Sequence, residues 1–166
     1  MNYAAIKWLD IANGPGIRIS LFVSGCELHC PECFNKIAWD FNYGEEFTSE
    51  IQKKIMDKIE SNQVYRGISI LGGEPLNERN QIGLLAFVKS FREKFPDKDI
   101  WMFTGYTWEN IPGNREILQY IDVLVDGPFQ IKNKDLRLVF KGSSNQRTID
   151  VQKSLKEGKV IILEGY

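Results

Sequence analysis

The fold is organised around residues 17–33, which read Ile-Arg-Ile-Ser-Leu-Phe-Val-Ser-Gly-Cys-Glu-Leu-His-Cys-Pro-Glu-Cys. The first part of this stretch is rich in β-branched and aromatic residues, which predicts a buried β-strand that ends at Gly25. The second part contains all three cysteines of the chain, Cys26, Cys30 and Cys33, in the spacing C-x3-C-x2-C. We therefore expect three thiols on a loop at the C-terminal end of a strand. Open α/β sheets and (β/α) barrels place their chemistry at that end.

Three cysteines this close together predict a metal centre that keeps one open position. A structural zinc site is closed by four ligands, whereas a [4Fe–4S] cluster held by three cysteines has one iron free to bind a substrate. Two alternatives stay open on these residues alone. His29 would complete a Cys3His zinc site, although it is adjacent to Cys30 and neighbouring residues rarely face one ion. A disulfide would leave the third cysteine unpaired, and the N-terminus lacks the order of a secretory signal.

A second motif, Gly72-Gly73-Glu74-Pro75, follows another predicted strand at residues 67–71. Its glycines let a ligand approach the backbone closely, and their carbonyl groups are acceptors for an ammonium group. Glu74 would add a charge-assisted hydrogen bond. Because parallel strands end at the same edge of a sheet, we expect this loop to meet the cysteine loop. Asp126 ends the fourth predicted strand at the same level, either as a site residue or as a turn-forming residue.

Together these motifs resemble the radical S-adenosylmethionine (SAM) superfamily. Within it, the chain is similar to the activating proteins of anaerobic ribonucleoside-triphosphate reductase. The resemblance runs from about residue 5 to about residue 150 and is carried, in order, by residues 13–18, 21–26, 101–106, 123–127 and 142–146.

The resemblance implies which residues bind the cofactors, one [4Fe–4S] cluster and SAM. The cluster ligands, which are catalytic through the cluster, would be Cys26, Cys30 and Cys33. The SAM-binding residues would be Glu32, Cys33, Phe34, Gly72, Gly73 and Glu74, the last three at the methionyl end. Glu32 departs from the glycine that is usual in the family, and Phe34 replaces a frequent tyrosine, so the adenine contacts of this segment are the least defined.

The resemblance also implies the reaction and the partners. Reductive cleavage of SAM at the cluster would give a 5′-deoxyadenosyl radical, which installs a glycyl radical on the anaerobic reductase. A reduced flavodoxin-like protein would donate the electron. Two other functions remain as alternatives. One is a radical SAM enzyme that acts on a small molecule, similar to 7-carboxy-7-deazaguanine synthases, and the other is a non-enzymatic zinc-binding module.

Length and composition place further bounds on the function. The 166 residues are 43% hydrophobic and 26% charged, which is typical of one globular domain. We expect a single domain over residues 1–166, with a core at about 15–141 and a C-terminal extension at 142–166. The net charge of −1 argues against a nucleic-acid partner. No apolar run approaches the ~20 residues that span a bilayer, so we expect no membrane partner and a cytoplasmic location.

The order of strands, loops and helices predicts an α/β fold with parallel strands and helical crossovers. The resemblance implies an open, partial (β/α) barrel of the radical SAM type. We expect a loop at residues 8–16, a short helix at 116–120, a helix at 150–156, and late strands at 136–140 and 160–163. A basic excess surrounds the first of these strands and reads either as a solvated loop or as a docking face for an acidic partner.

Overall fold

The computed structural model describes residues 1–33 and 35–166, so Phe34 lies outside the described residues. Within these ranges, seven strands form one open sheet in the order β3-β1-β2-β4-β5-β6-β7. The strands are β1 (Asn2–Asp10), β2 (Ile17–Val23), β3 (Glu45–Glu46), β4 (Tyr65–Gly72), β5 (Asp99–Phe103), β6 (Val123–Asp126) and β7 (Arg147–Asp150). The α-helices are α1 (Ser49–Glu60), α2 (Glu78–Lys94) and α3 (Val151–Glu157).

The centre of the sheet is parallel and its flanks are antiparallel. Strands β2, β4, β5 and β6 pair in parallel, whereas β1 is antiparallel to β2 and β7 is antiparallel to β6. The α/β class and the parallel core are therefore confirmed. The expected loop at residues 8–16 is wrong in its first part, because β1 continues to Asp10. The connection from β5 to β6 contains short 3-10 helices, one at the predicted helix Glu116–Tyr120.

Helices α1 and α2 cover one face of the sheet because each presents an apolar stripe. Helix α1 is capped by Thr48, whose side chain accepts a hydrogen bond from the Ile51 amide, and it buries Ile55 and Ile59. On the strands, alternate side chains point to opposite faces. Ile19 and Leu21 of β2 belong to the core under the helices, so Ser20 and Phe22 point to the other face, where the site lies. No helix in the described residues is long and apolar enough to cross a membrane.

The C-terminal part of the chain differs from the expectation in two places. Residues 136–140 form turns and bends instead of a strand, because the Asp135 carboxylate accepts hydrogen bonds from the Arg137 backbone and side chain and closes a local turn. Residues 160–163 make only a bridge, between Ile162 and Ile149. The predicted helix at 150–156 is confirmed as α3.

Candidate functional site

The site is a cavity of about 430 Å³ on the face of the sheet that α1 and α2 leave open. Residues that follow β2, β4, β5 and β6 line it together, so the carboxyl ends of the parallel strands converge as expected. The predicted site residues that line it are Cys26, Cys30, Cys33, Gly72, Gly73 and Glu74. Glu32 is exposed on the loop at a φ of 58° and is not among the lining residues.

The cysteine loop is held against the segment that follows it. Gly25 has a φ of +96°, and a Cβ there would lie 2.0 Å from the Phe41 ring, so only glycine fits. The Gly25 amide donates to the Ala38 carbonyl at 2.8 Å, and the Cys26 amide donates to the Trp39 carbonyl at 3.1 Å. These contacts fix the start of the loop and direct it into the cavity.

The three thiols are free, with Cys26 buried and the other two partly exposed. Burial raises the pKa of the Cys26 and Cys30 thiols above the ordinary value. His29 packs on the Trp39 ring, with 4.4 Å between the ring centroids. Across the described residues, no three His, Cys, Asp or Glu side chains are grouped to hold one metal ion. The three cysteines are among these side chains, so they are not placed to share a single ion; thiols spread around a roomy cavity fit a [4Fe–4S] cluster, in which each cysteine binds its own iron and one iron stays open.

The Gly-Gly-Glu-Pro loop contacts the cysteine loop directly, which confirms that the two motifs meet. The Gly73 amide donates to the Val23 carbonyl at 2.7 Å, and the Glu74 amide donates to the Gly25 carbonyl at 2.8 Å. A Cβ on Gly73 would lie 2.6 Å from the Gly25 carbonyl oxygen. The glycine is therefore required for the two backbones to approach this closely.

Asn80, in the first turn of α2, fastens the two loops together. Its buried Nδ2 donates to the carbonyl oxygens of Ser24 at 3.0 Å, Gly25 at 3.2 Å and Glu74 at 2.9 Å. Sequence reasoning did not identify this residue. The sequence did contain a signal for it. Asn80 lies four residues before the buried Leu84, so a polar side chain occupies a position of the apolar stripe of α2.

Glu74 joins the loops that follow β4 and β5. Its carboxylate accepts hydrogen bonds from the Thr104 hydroxyl at 2.7 Å, the Gly105 amide at 2.7 Å and the Leu76 amide at 2.9 Å. Complete burial raises the pKa of Glu74 to about 7, in spite of these three donors. Glu74 thus has a structural task in addition to the ligand contact expected for it.

Arg18 organises the part of the cavity wall that precedes β2. Its buried guanidinium forms an ion pair with Asp99 at 2.6 Å and donates to the Ser69 hydroxyl at 2.8 Å. It also donates to the Pro15 carbonyl at 3.1 Å, and the Ser69 hydroxyl donates to the Asn13 carbonyl. These bonds hold the turn at residues 11–16 in place, so that Asn13 lines the cavity.

Asp126 makes its polar contacts with other residues of the protein. Its buried carboxylate forms an ion pair with Arg147 and accepts a hydrogen bond from the Trp108 amide at 2.7 Å. The same ion pair, together with Glu109, raises the pKa of Arg147. The residue after it, Gly127, lines the cavity. The carboxylate of Asp126 thus bonds to residues 18 and 21 positions away in the chain and not to its own turn, so it ties together the segments around β6.

Comparisons with known proteins identify the family. Residues 12–149 match the family model described as a 4Fe-4S single cluster domain. The chain is 43% identical over 150 residues to the anaerobic ribonucleoside-triphosphate reductase-activating protein of Pasteurella multocida, covering 88% of this chain and 95% of that protein. Identity to the protein of that name from Escherichia coli K12 is 42% over 148 residues, with coverage of 88% and 96%. Identity to the protein of that name from Enterobacteria phage T4 is 37% over 147 residues, covering 89% of this chain and 92% of that protein. The chain belongs to the family of anaerobic ribonucleoside-triphosphate reductase-activating proteins.

Proposed function

We propose that this protein activates an anaerobic ribonucleoside-triphosphate reductase by generating a glycyl radical on it. The observation that carries the proposal is that three free thiols and the Gly72–Glu74 segment line the same cavity. When bound, the [4Fe–4S] cluster and SAM supply a 5′-deoxyadenosyl radical by one-electron reductive cleavage, and this radical takes a hydrogen atom from the target glycine. A reduced flavodoxin-like protein is our proposed electron donor.

The cysteine loop would bind the cluster through Cys26, Cys30 and Cys33. The thiols must lose their protons to become ligands. Burial favours the neutral form of Cys26 and Cys30, so cluster assembly should release protons and should weaken as the pH falls. The start of the loop is already held in place, because the backbone amides of Gly25 and Cys26 form hydrogen bonds with residues 38 and 39.

The Gly-Gly-Glu-Pro loop would bind the methionyl end of SAM. Gly72 and Gly73 line the cavity, and their lack of a Cβ lets this segment lie directly against the backbone of Val23 and Gly25. Glu74 stands next to them, and the Thr104 hydroxyl and the Gly105 amide keep its carboxyl group in one orientation; the ammonium group of bound SAM would favour its charged form. We retain Glu32 and Phe34 as proposed contacts to the adenosyl end, with Glu32 reaching it only if its exposed loop turns inward.

The open sheet suits a large substrate. We propose that the sheet corresponds to a partial barrel of the radical SAM type, and that residues 1–166 act as one domain. In support, β1 near the start of the chain and β7 near its end belong to the same sheet. A cavity on an open sheet leaves room for a protein segment, whereas a closed barrel would enclose a small molecule.

The test begins with anaerobic reconstitution of the protein with iron and sulfide, followed by reduction and electron paramagnetic resonance (EPR) spectroscopy with and without SAM. We expect an S = 1/2 [4Fe–4S]+ signal that changes when SAM is added. We then expect a glycyl radical signal on the full-length reductase of the same organism. A variant with all three cysteines replaced by serine is the control and should give neither signal. A wild-type protein that cleaves SAM but leaves the reductase without a radical would refute the assignment of the substrate.

A further inference from the structure

The segment between β6 and β7 forms one wall of the cavity, and we call residues 131–142 the rim loop. Its base is anchored by a bridge between Lys134 and Ser143 and by the hydrogen bond from the Ser144 amide to the Asn133 carbonyl at 2.9 Å. Near its far end, the Lys141 ammonium donates to the Tyr166 carbonyl at 3.0 Å. The rim loop is therefore held at both ends, and its middle projects beside the cavity.

The rim loop has an inner side and an outer side. Leu138 and Phe140 line the cavity. In contrast, Leu136 is 89% exposed and Val139 is 45% exposed, although both are apolar. Single exposed apolar residues are common on protein surfaces. Here they share one short loop at the edge of the cavity in which the chemistry is proposed, which is where a partner must approach.

The charge of the rim loop is opposite in sign to that of the whole chain. The loop has four basic residues and one acidic residue, whereas the chain has a net charge of −1. The acidic residue, Asp135, is paired with the Arg137 guanidinium at 2.8 Å. Lys132 and Lys134 are exposed and form no salt bridge within the described residues. Two ammonium groups thus remain available to a partner.

The other side of the cavity mouth is acidic. The cysteine loop follows β2 and exposes Glu27 and Glu32. Strands β4 and β5 lie between β2 and β6 in the sheet, so the cysteine loop and the rim loop bound the cavity from different sides. The two sides of the cavity mouth thus carry opposite charges, and these charges would orient a charged segment that approaches the mouth.

We infer that the rim loop is the docking surface for the protein substrate and that it binds an acidic segment of that protein near the target glycine. The inference rests on the proposed function, because a glycine can be reached inside the cavity only if the chain flanking it crosses the mouth. Lys132 and Lys134 attract the acidic side chains of this segment. Leu136 and Val139 give the segment an apolar contact beside these charges.

The test compares variants of the reconstituted enzyme with one another, and the full-length reductase is the binding partner in each measurement. Lys132→Glu with Lys134→Glu reverses the charge, and Leu136→Ser with Val139→Ser removes the apolar contact. Lys58→Glu with Lys89→Glu is the matched control, because both lysines are exposed on α1 and α2, on the face of the sheet away from the cavity, and the change in net charge is the same.

Three measurements are made on each variant: SAM cleavage without reductase, the Kd for the reductase at two salt concentrations, and the yield of glycyl radical. We expect SAM cleavage to be unchanged in all variants. We expect the charge reversal to raise Kd by about tenfold, with a weaker salt dependence, and to lower the radical yield at limiting enzyme. We expect the control pair to change Kd by less than about twofold.

The outcomes separate the two proposals. Equal weakening by the rim pair and the control pair, or no weakening by the rim pair, would overturn the docking surface and leave the proposed function intact. Absence of SAM cleavage, or absence of a glycyl radical with the wild-type enzyme, would overturn the proposed function itself. Weakening by the charge reversal but not by the serine pair would support the acidic segment and refute the apolar contact.

Discussion

Replacing Asn80 by alanine should separate cluster binding from SAM binding. The Asn80 amide donates to three carbonyl oxygens, and two of these acceptors keep a backbone donor in the variant. Gly25 O still accepts from the Glu74 amide, and Glu74 O still accepts from the Asn77 amide. The Ser24 carbonyl loses the donor that the structure gives it. One buried unsatisfied acceptor and two weakened ones should cost about 2–3 kcal/mol of the free energy of unfolding.

The functional effect follows from what Asn80 connects. All three cysteines remain, so we expect the iron content after reconstitution to be close to that of the wild type. The cysteine loop and the Gly-Gly-Glu-Pro loop would no longer share a donor, and their spacing would become less fixed. We expect SAM to bind about tenfold more weakly, as is typical when residues that orient a site from behind are removed. The assays are urea unfolding of the apoprotein, iron analysis, and titration of the reduced cluster with SAM by EPR.

Two further variants test the reasoning. Gln81→Ala also removes a buried amide from α2, but Gln81 donates to the Leu76 and Pro112 carbonyls and does not join the two loops. It should cost similar stability and leave SAM affinity unchanged. Asn80→Asp would direct a carboxylate at three carbonyl oxygens and should be more damaging than alanine. An unchanged SAM affinity in Asn80→Ala, or an equal loss in Gln81→Ala, would refute the role of Asn80 in positioning the loops.

Three other outcomes are expected. The pKa of Glu74 is raised from the ordinary 4.5 to about 7 in the folded protein, so stability is highest below pH 4.5, where the carboxyl group is neutral in both the folded and the unfolded state, and this stability is lost as the pH rises from 4.5 through 7. Between pH 5 and pH 8, the free energy of unfolding of the apoprotein should therefore fall by about 2 kcal/mol more in the wild type than in Glu74→Gln, measured by urea unfolding; parallel curves would contradict this. Arg18→Met should cost about 3 kcal/mol by the same assay, because it leaves Asp99 with Arg66 alone as its partner; a loss below about 1 kcal/mol would contradict the buried ion pair. Gly73→Ala should retain its iron but fail to bind SAM in the EPR titration, because its Cβ would collide with the Gly25 carbonyl oxygen; normal SAM binding would show that the loops can separate.

The parts of the site that are local in sequence were predictable. The strand before Gly25, the cysteine spacing and the glycines of residues 72–73 are each set by short-range chemistry, and the parallel pairing of β2 with β4 then brings them together. The antiparallel strands at the flanks were missed, because their pairing depends on partners elsewhere. In β1, half-buried and exposed residues alternate from Ala4 to Leu9, but apolar residues occupy both sets of positions, so the sequence shows no clear alternation of apolar and polar residues. At residues 136–140 the strand propensity was misleading, because the turn closed by Asp135 prevailed.

The contacts that could not be predicted from the sequence are the hydrogen bonds that join the cysteine loop and the Gly-Gly-Glu-Pro loop into one site. Asn80 and Thr104 each bond to a loop that lies far away in the chain, with Asn80 acting across 55 residues to reach Gly25. Such residues look like ordinary polar members of a helix and a loop, because their partners are defined only after the sheet has formed. The same dependence gives the site its stiffness. Asn80 and Glu74 link the loops after β2, β4 and β5 in series, so a displacement of one loop must be transmitted to the others. The rim loop after β6 takes no part in these hydrogen bonds, being anchored to its own base, to Tyr166 and, through Phe140, to the Trp101 ring of β5. Its outer residues Leu136 and Val139 lie outside these anchors, so a protein partner can contact them without moving the residues that would hold the cluster and SAM.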